Sequence, residues 1–285
     1  MNHLQQSSPI LFDALVLLLS VSAGFIGSLI GLGGGALLVP GLVLFFGVPM
    51  KTAVATSLLA VVFTSSAAAM VSGRDALTNY RVGLLLEIVA GAASVVGALT
   101  AFMVSAALLQ VIFAVVLLAT VALSLRRMTD TDTSQLPSTG LAKKLNLDCV
   151  ERGAHGLQIF RLQNVPLGLS IMGIAGVIAG MLGLGAGSVK VLSMDTCMKM
   201  PFRTSTVTSN FMIGATAAAG SAVFFRLGVI DPGIAGPVAV GIVPGAILGS
   251  WMVSRIKLKS LRLVFITIVT VMGVQMLLKV LGVMS

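Results

Sequence analysis

Two glycine-rich segments interrupt long apolar runs in this chain, Gly31-Leu32-Gly33-Gly34-Gly35 and Gly183-Leu184-Gly185-Ala186-Gly187. They lie 152 residues apart (183 − 31), and the offset holds downstream without a gap for about eighty residues. It carries Pro49 to Pro201, Lys51 to Arg203, Thr52 to Thr204, Thr56-Ser57 to Thr208-Ser209, Gly97 to Gly249 and Phe113 to Phe265. The chain therefore reads as two copies of one design. Paired, broken hydrophobic segments are the sequence pointer to a binding region between the repeats of a transporter fold.

Hydrophobic residues make up 57% of the 285, and only 9% are charged. A soluble domain carries about 25% charged residues, so this is membrane composition. At about 20 apolar residues per crossing the length allows roughly eight to ten spans. The net charge of +9 does not point to nucleic acid. The basic residues lie between apolar runs, where the positive-inside rule puts them, and no aromatic-basic interleaving offers a stacking platform. Cys149 and Cys197 form no metal or CxxC spacing, and His3 and His155 read as solvated loop residues. No metal or cofactor is expected. The N-terminus lacks a basic region and a small-residue cleavage site, which argues against a signal peptide.

The first repeat (1–125) reads as five apolar segments, at 10–30, 35–48, 52–72, 82–104 and 107–125. The second (166–285) repeats them at 166–182, 187–200, 204–225, 233–254 and 261–283. Lipid demands that the backbone satisfy itself, and no barrel alternation is visible, so all are expected to be helices. Residues 126–165 form a basic, polar, cytoplasmic linker, with an interfacial helix or disorder expected over part of 135–148. The second segment of each repeat is short for a span. It is either a half-helix re-entering the membrane or a full span buried among others.

Charge suggests that the halves are inverted. The loop at Ser105-Ala106 carries no charge, while its equivalent holds Arg255, Lys257, Lys259 and Arg262. Conversely, Arg74 and Arg81 outweigh Asp75, while Arg226 and Asp231 cancel in the equivalent loop. A basic loop in one half tends to match a neutral loop in the other. Each half crosses five times, or three times if its first two segments form a re-entrant hairpin, and both counts are odd. The expected arrangement has the linker inside and both termini outside.

Consecutive glycines in an apolar run cost about 1 kcal/mol each against alanine. They are kept where the backbone must break, turn or touch something. A break frees N–H groups at the head of the next helix, where partial positive charge gathers and anions bind. The plainer reading is that the glycines permit tight helix crossing. After each motif a proline precedes a new helix, then Lys51 or Arg203, then Thr52 or Thr204 as N-caps. Thr52, Thr56 and Thr64 align along one face, and Ser205, Thr208, Ser209 and Thr216 give a similar stripe. These donors suit an anion that must bind and leave, or serve interhelical hydrogen bonds. Lys190, three residues past Gly187, stands where the first half has Leu38. It can pair with an anion, pair with Asp195, or snorkel to the surface. Asp195 and Lys199 can pair along the helix, and Glu87 lies near the end of its segment as an interfacial residue. Asp195 and Glu87 are also the candidates for ion coupling by a proton or sodium. No nucleophile set, paired carboxylates, Walker loop or Rossmann loop is present, so no enzyme is expected.

Residues 27–40 (GSLIGLGGGALLVP) and 47–58 (GVPMKTAVATSL), with their second-half copies, resemble the TauE/SafE family of membrane permeases, also called sulfite exporters. The likeness covers nearly all of the chain except the ends and the linker. It implies a polytopic protein of two repeats that moves small sulfur-containing anions such as sulfite or organosulfonates. Together these readings give an all-α polytopic integral membrane protein of the inner membrane, with two inverted-topology repeats and glycine-broken helices. The expected anion site comprises Gly33, Gly34, Gly35, Gly185, Gly187 and Ser188 with Thr56, Ser57, Thr208, Ser209 and Asn210, and Lys190 supplies charge. Lys51 and Arg203 serve entry or orientation. The alternative is an anion channel or a membrane scaffold without coupled transport.

Overall fold

The computed structural model describes residues 9–30, 33–72, 80–126, 149–153, 156–160, 162–200, 202–252, 258–280 and 282. The first half contains α1 (Pro9–Ile30), α2 (Gly35–Phe45), α3 (Met50–Ser72), α4 (Tyr80–Met103) and α5 (Ala106–Arg126). The second contains α6 (Val165–Leu182), α7 (Gly187–Leu192), α8 (Phe202–Arg226), α9 (Pro232–Met252) and α10 (Leu258–Val280). A π-helical turn, Ser193–Cys197, continues α7.

Among the described residues, five helices (α1, α3, α4, α6 and α9) are long and apolar enough to cross a membrane. At 1.5 Å per residue, the 24 residues of α4 reach about 36 Å and the 18 of α6 about 27 Å. The hydrocarbon core to be crossed is about 30 Å thick. The 11 residues of α2 reach only about 16 Å. Large apolar side chains such as Leu18, Leu84, Ile88, Val240 and Trp251 lie on the outside, while Ser57, Thr64, Ser94, Thr208, Ser209 and Thr216 are buried. Lipid accepts the apolar exterior, and hydroxyls inside find partners on neighbouring helices. The chain is a polytopic, all-helical membrane protein, apart from one small hairpin.

The 152-residue offset reappears in the element boundaries. It relates the starts of α2 and α7, α3 and α8, α4 and α9, and α5 and α10, and the ends of α1 and α6. The packing exchanges partners in the same way. The first helix of each half lies against the fourth helix of the other, α1 on α9 and α6 on α4. Glycines bring these backbones together. Gly97 abuts the Val177 carbonyl and Gly249 the Phe25 carbonyl, two contacts that the offset turns into each other. Gly176 on Ala90 and Gly24 on Ile242 form a second such pair. The central helices α3 and α8 also pack together, and Ser65 Oγ donates to the Asn210 carbonyl at 2.7 Å.

The linker holds a feature that its charge pattern did not suggest. β1 (Cys149–Gly153) pairs antiparallel with β2 (Gly156–Phe160), from Cys149 opposite Phe160 to Gly153 opposite Gly156. A two-residue connection between glycines is the geometry of a tight hairpin. The helix expected within 135–148, both histidines, and the loops at 73–79 and 253–257 lie outside the described residues.

Candidate functional site between the glycine breaks

The backbone unwinds at both motifs. After α1, Gly33 and Gly34 take φ of 77° and 74°, and α2 begins at Gly35. After α6, Gly183, Gly185 and Ala186 take φ of 72°, 66° and 46°, and α7 begins at Gly187. Left-handed backbone is nearly free for glycine and costs other residues about 1–2 kcal/mol. Ala186 therefore carries strain that Gly34, its counterpart, does not. Gly31 and Leu32 lie outside the described residues. At the head of α2 the amides of Leu37 and Leu38 both donate to the Gly34 carbonyl. In α7, Val189 and Lys190 bond the Ala186 carbonyl in the same way.

The two breaks adjoin. Ser57 Oγ donates to the Gly183 carbonyl at 2.8 Å, and a Cβ on Gly35 would collide with that same carbonyl. Thr64 Oγ1 donates to the Gly33 carbonyl at 3.0 Å, and Ser209 Oγ to the Gly187 carbonyl at 3.3 Å. The hydroxyl stripes on α3 and α8 thus hold the carbonyls that the breaks release, in place of standing open. Thr56 is fully buried and its Oγ1 has no hydrogen-bond partner. Thr208 is also buried, and Asn210 is half-buried. A small cavity of about 20 Å³ borders the second break, lined by Ala36, Leu184, Ala186, Gly187, Thr120 and Val269 among others. It is almost wholly apolar.

Lys190 is fully buried, and its partner is Glu87 on α4, with Nζ 3.3 Å from Oε2. The same ammonium donates to the Met212 carbonyl at 3.3 Å and to Thr216 Oγ1 on α8. Thr216 Oγ1 in turn lies 2.6 Å from Glu87 Oε1, and Ser94 Oγ donates to the Thr216 carbonyl at 2.9 Å. The sequence left Lys190 between an anion, Asp195 and the surface, and Glu87 between an interfacial place and ion coupling. The fold instead brings them together inside the protein, because α4 and α8 converge beside the second break. Each is a charge within an apolar segment, and that was the one signal of their pairing. Ser94 and the Met212 carbonyl went unnoticed, being ordinary until the helices are packed. Asp195 lies half-buried on the π-helical turn. Lys51 donates to the Phe102 carbonyl at the end of α4 and sits 5.0 Å from the Phe102 ring centroid. That contact caps α4. The side chains of Ser188 and Arg203 lie outside the described residues.

Comparison with known proteins gives a consistent picture. The family model for sulfite exporter TauE/SafE matches residues 16–276. Probable membrane transporter protein YunE of Bacillus subtilis is 26% identical over 274 residues, covering 92% of this chain and 96% of that protein. A probable membrane transporter protein of Methanocaldococcus jannaschii is 25% identical over 93% of this chain and 95% of its own length. Probable membrane transporter protein YdhB of Bacillus subtilis is 26% identical over 86% of this chain and 94% of its own length. No solved structure matches this chain.

Proposed function

This chain belongs to the sulfite exporter TauE/SafE family and is a membrane transporter, and on that premise we propose that it is a secondary permease for small, sulfur-containing anions. The anion binds where the two breaks meet, between α3 and α8. The observation that carries this reading is the Ser57 bond to the Gly183 carbonyl, which joins one half's hydroxyl stripe to the other half's break. Displacement of such bonds frees Ser57, Thr64 and Ser209 as donors, beside the unpartnered Thr56 hydroxyl. Neutral donors and backbone amides hold an anion without trapping it.

Rocking of two rigid helix bodies against each other then gives alternating access. The tight α1–α9 and α4–α6 crossings make two natural rigid bodies, each containing helices from both halves. The linker lies in the cytoplasm, the termini outside, and the protein in the plasma membrane.

The test is counterflow in liposomes carrying the purified protein. Radiolabelled sulfite, thiosulfate, sulfate or methanesulfonate should enter saturably and exchange against unlabelled anion trapped inside. The bound anion should also raise the thermal unfolding temperature in detergent, by mass action. Linear, non-saturating flux, or no flux and no stabilisation by any of these anions, sinks the reading.

A further inference from the structure

We propose that Glu87, Lys190 and Thr216 form the coupling site of this transporter, where a proton on Glu87 releases Lys190 to the anion, so that one proton moves with each singly charged anion. The inference rests on the transport reading above. It begins from an asymmetry between halves that otherwise correspond helix for helix. The 152-residue offset places Leu38 opposite Lys190, Ala239 opposite Glu87 and Thr64 opposite Thr216. In the first half, α2 is held by packing around the fully buried Leu38, and Thr64 bonds the Gly33 carbonyl. The cluster around Leu38 therefore packs without an ion pair. Its counterpart around Lys190 keeps one, joining α7 of the second half to α4 of the first, where desolvation weighs against it. Ionisable groups at such depth are functional by default.

The hydrogen bonds are complete as they stand. The three donors of Lys190 go to Glu87, Met212 and Thr216, and each oxygen of Glu87 receives one bond. The Glu87 side chain is 11% exposed and that of Lys190 is 0% exposed, and of the two ions only the carboxylate has a lone pair to take a proton. A proton therefore arrives at the carboxylate. Other charges in the surrounding elements lie away from it in sequence. Arg81 begins α4, Arg203 and Arg226 stand at the two ends of α8, and Asp195 lies on the π-helical turn. The helix α6 has no charged residue.

Protonation turns the carboxylate into a neutral acid and leaves the Lys190 cation buried without a counter-charge. An anion restores neutrality, and a single negative charge does so fully. The ledger before is one ammonium and one carboxylate; afterwards it is one ammonium, one carboxylic acid and one bound monoanion. This favours sulfonates and hydrogen sulfite over doubly charged anions. The change also bears on the backbone of the break. α7 begins at the left-handed Gly185-Ala186 break and runs on into the π-helical turn, so exchanging the partner of Lys190 acts on a short helix that starts at a break.

The test uses the purified protein in liposomes with a pH-sensitive dye sealed inside and radiolabelled methanesulfonate, whose charge is fixed near neutrality, alongside sulfite. In the wild type, entry should acidify the interior by one proton per methanesulfonate. Apparent affinity should weaken about tenfold per pH unit on the alkaline side. Glu87→Gln should bind the anion without that pH dependence, and a proton gradient should no longer drive accumulation. The double variant Glu87→Ala with Lys190→Leu installs the residues found at the equivalent positions, Ala239 and Leu38. It should unfold no earlier than the wild type and move no anion. Transport by the double variant would make the pair merely structural and overturn the inference. Anion entry without proton movement in the wild type would also overturn it, while leaving the transport reading intact. If neither anion enters, the transport reading itself fails, and this inference with it.

Discussion

Gly34 and Ala186 occupy equivalent left-handed positions with different side chains, which makes them a matched pair. A Cβ on Gly34 would lie 3.0 Å from the Ala23 carbonyl in a backbone that disfavours it. Gly34→Ala should therefore lower stability by about 1–2 kcal/mol. Ala186→Gly should remove strain of the same kind, offset by the extra freedom of glycine in the unfolded chain, and so leave stability level or slightly raised. Thermal unfolding of both variants in detergent checks the pair. A loss at 186 equal to that at 34 would mean that the two breaks are not alike. Ser57→Ala leaves the Gly183 carbonyl without its hydroxyl donor. An orphaned buried acceptor costs about 1–3 kcal/mol, so this variant should unfold earlier. It should also weaken anion binding, which separates it from an ordinary surface serine.

Helix ends were legible in the sequence because each is punctuated by chemistry. The glycine pairs end α1 and α6, and Pro49 stands just before α3, although the helix begins at Met50 and leaves Thr52, expected as its N-cap, inside the first turn. What each hydroxyl faces was not legible, since Thr64 and Thr216 differ only in the neighbours that tertiary packing supplies. The β1–β2 hairpin was hidden for another reason. Charge and breakers mark the linker as loop, and the glycines that flank its turn carry no strand signal of their own. Among helices, contrast between glycines gives the sharpest test. Gly97 and Gly249 each press on a backbone carbonyl of a partner helix, whereas a Cβ on Gly236 meets nothing within 4 Å. Gly97→Val and Gly249→Val should both disrupt folding or sharply cut the yield of folded protein. Gly236→Ala, in the exposed part of α9, should stabilise by about 0.5–1 kcal/mol through helix propensity. Equal tolerance at all three positions would mean that the α1–α9 and α4–α6 crossings are looser than described.

At the scale of the whole molecule, the exchange of packing partners between halves is what a pseudo-twofold relation produces, and the charge pattern gives that axis a direction. If it lies in the membrane plane, equivalent loops face opposite sides of the bilayer. Ser105 is exposed between α4 and α5, and the offset carries it to Lys257, between α9 and α10. The loop at 105 is neutral and its equivalent is basic, so the positive-inside rule puts 105 outside and 257 in the cytoplasm. Replacement of both native cysteines by serine leaves a background for single probes at Ser105→Cys and Lys257→Cys. A membrane-impermeant maleimide added to intact cells should modify position 105 and spare position 257 until the membrane is opened. A third probe, native Cys149 restored in the hairpin, should behave like 257, because each half crosses an odd number of times. Labelling of 105 and 257 from one side would make the repeats parallel. The axis would then run along the membrane normal, and α2 and α7 would meet the midplane from the same side. Two opposed helix heads converging on one anion require inversion, so that outcome would remove the geometric basis for placing the anion between the two breaks.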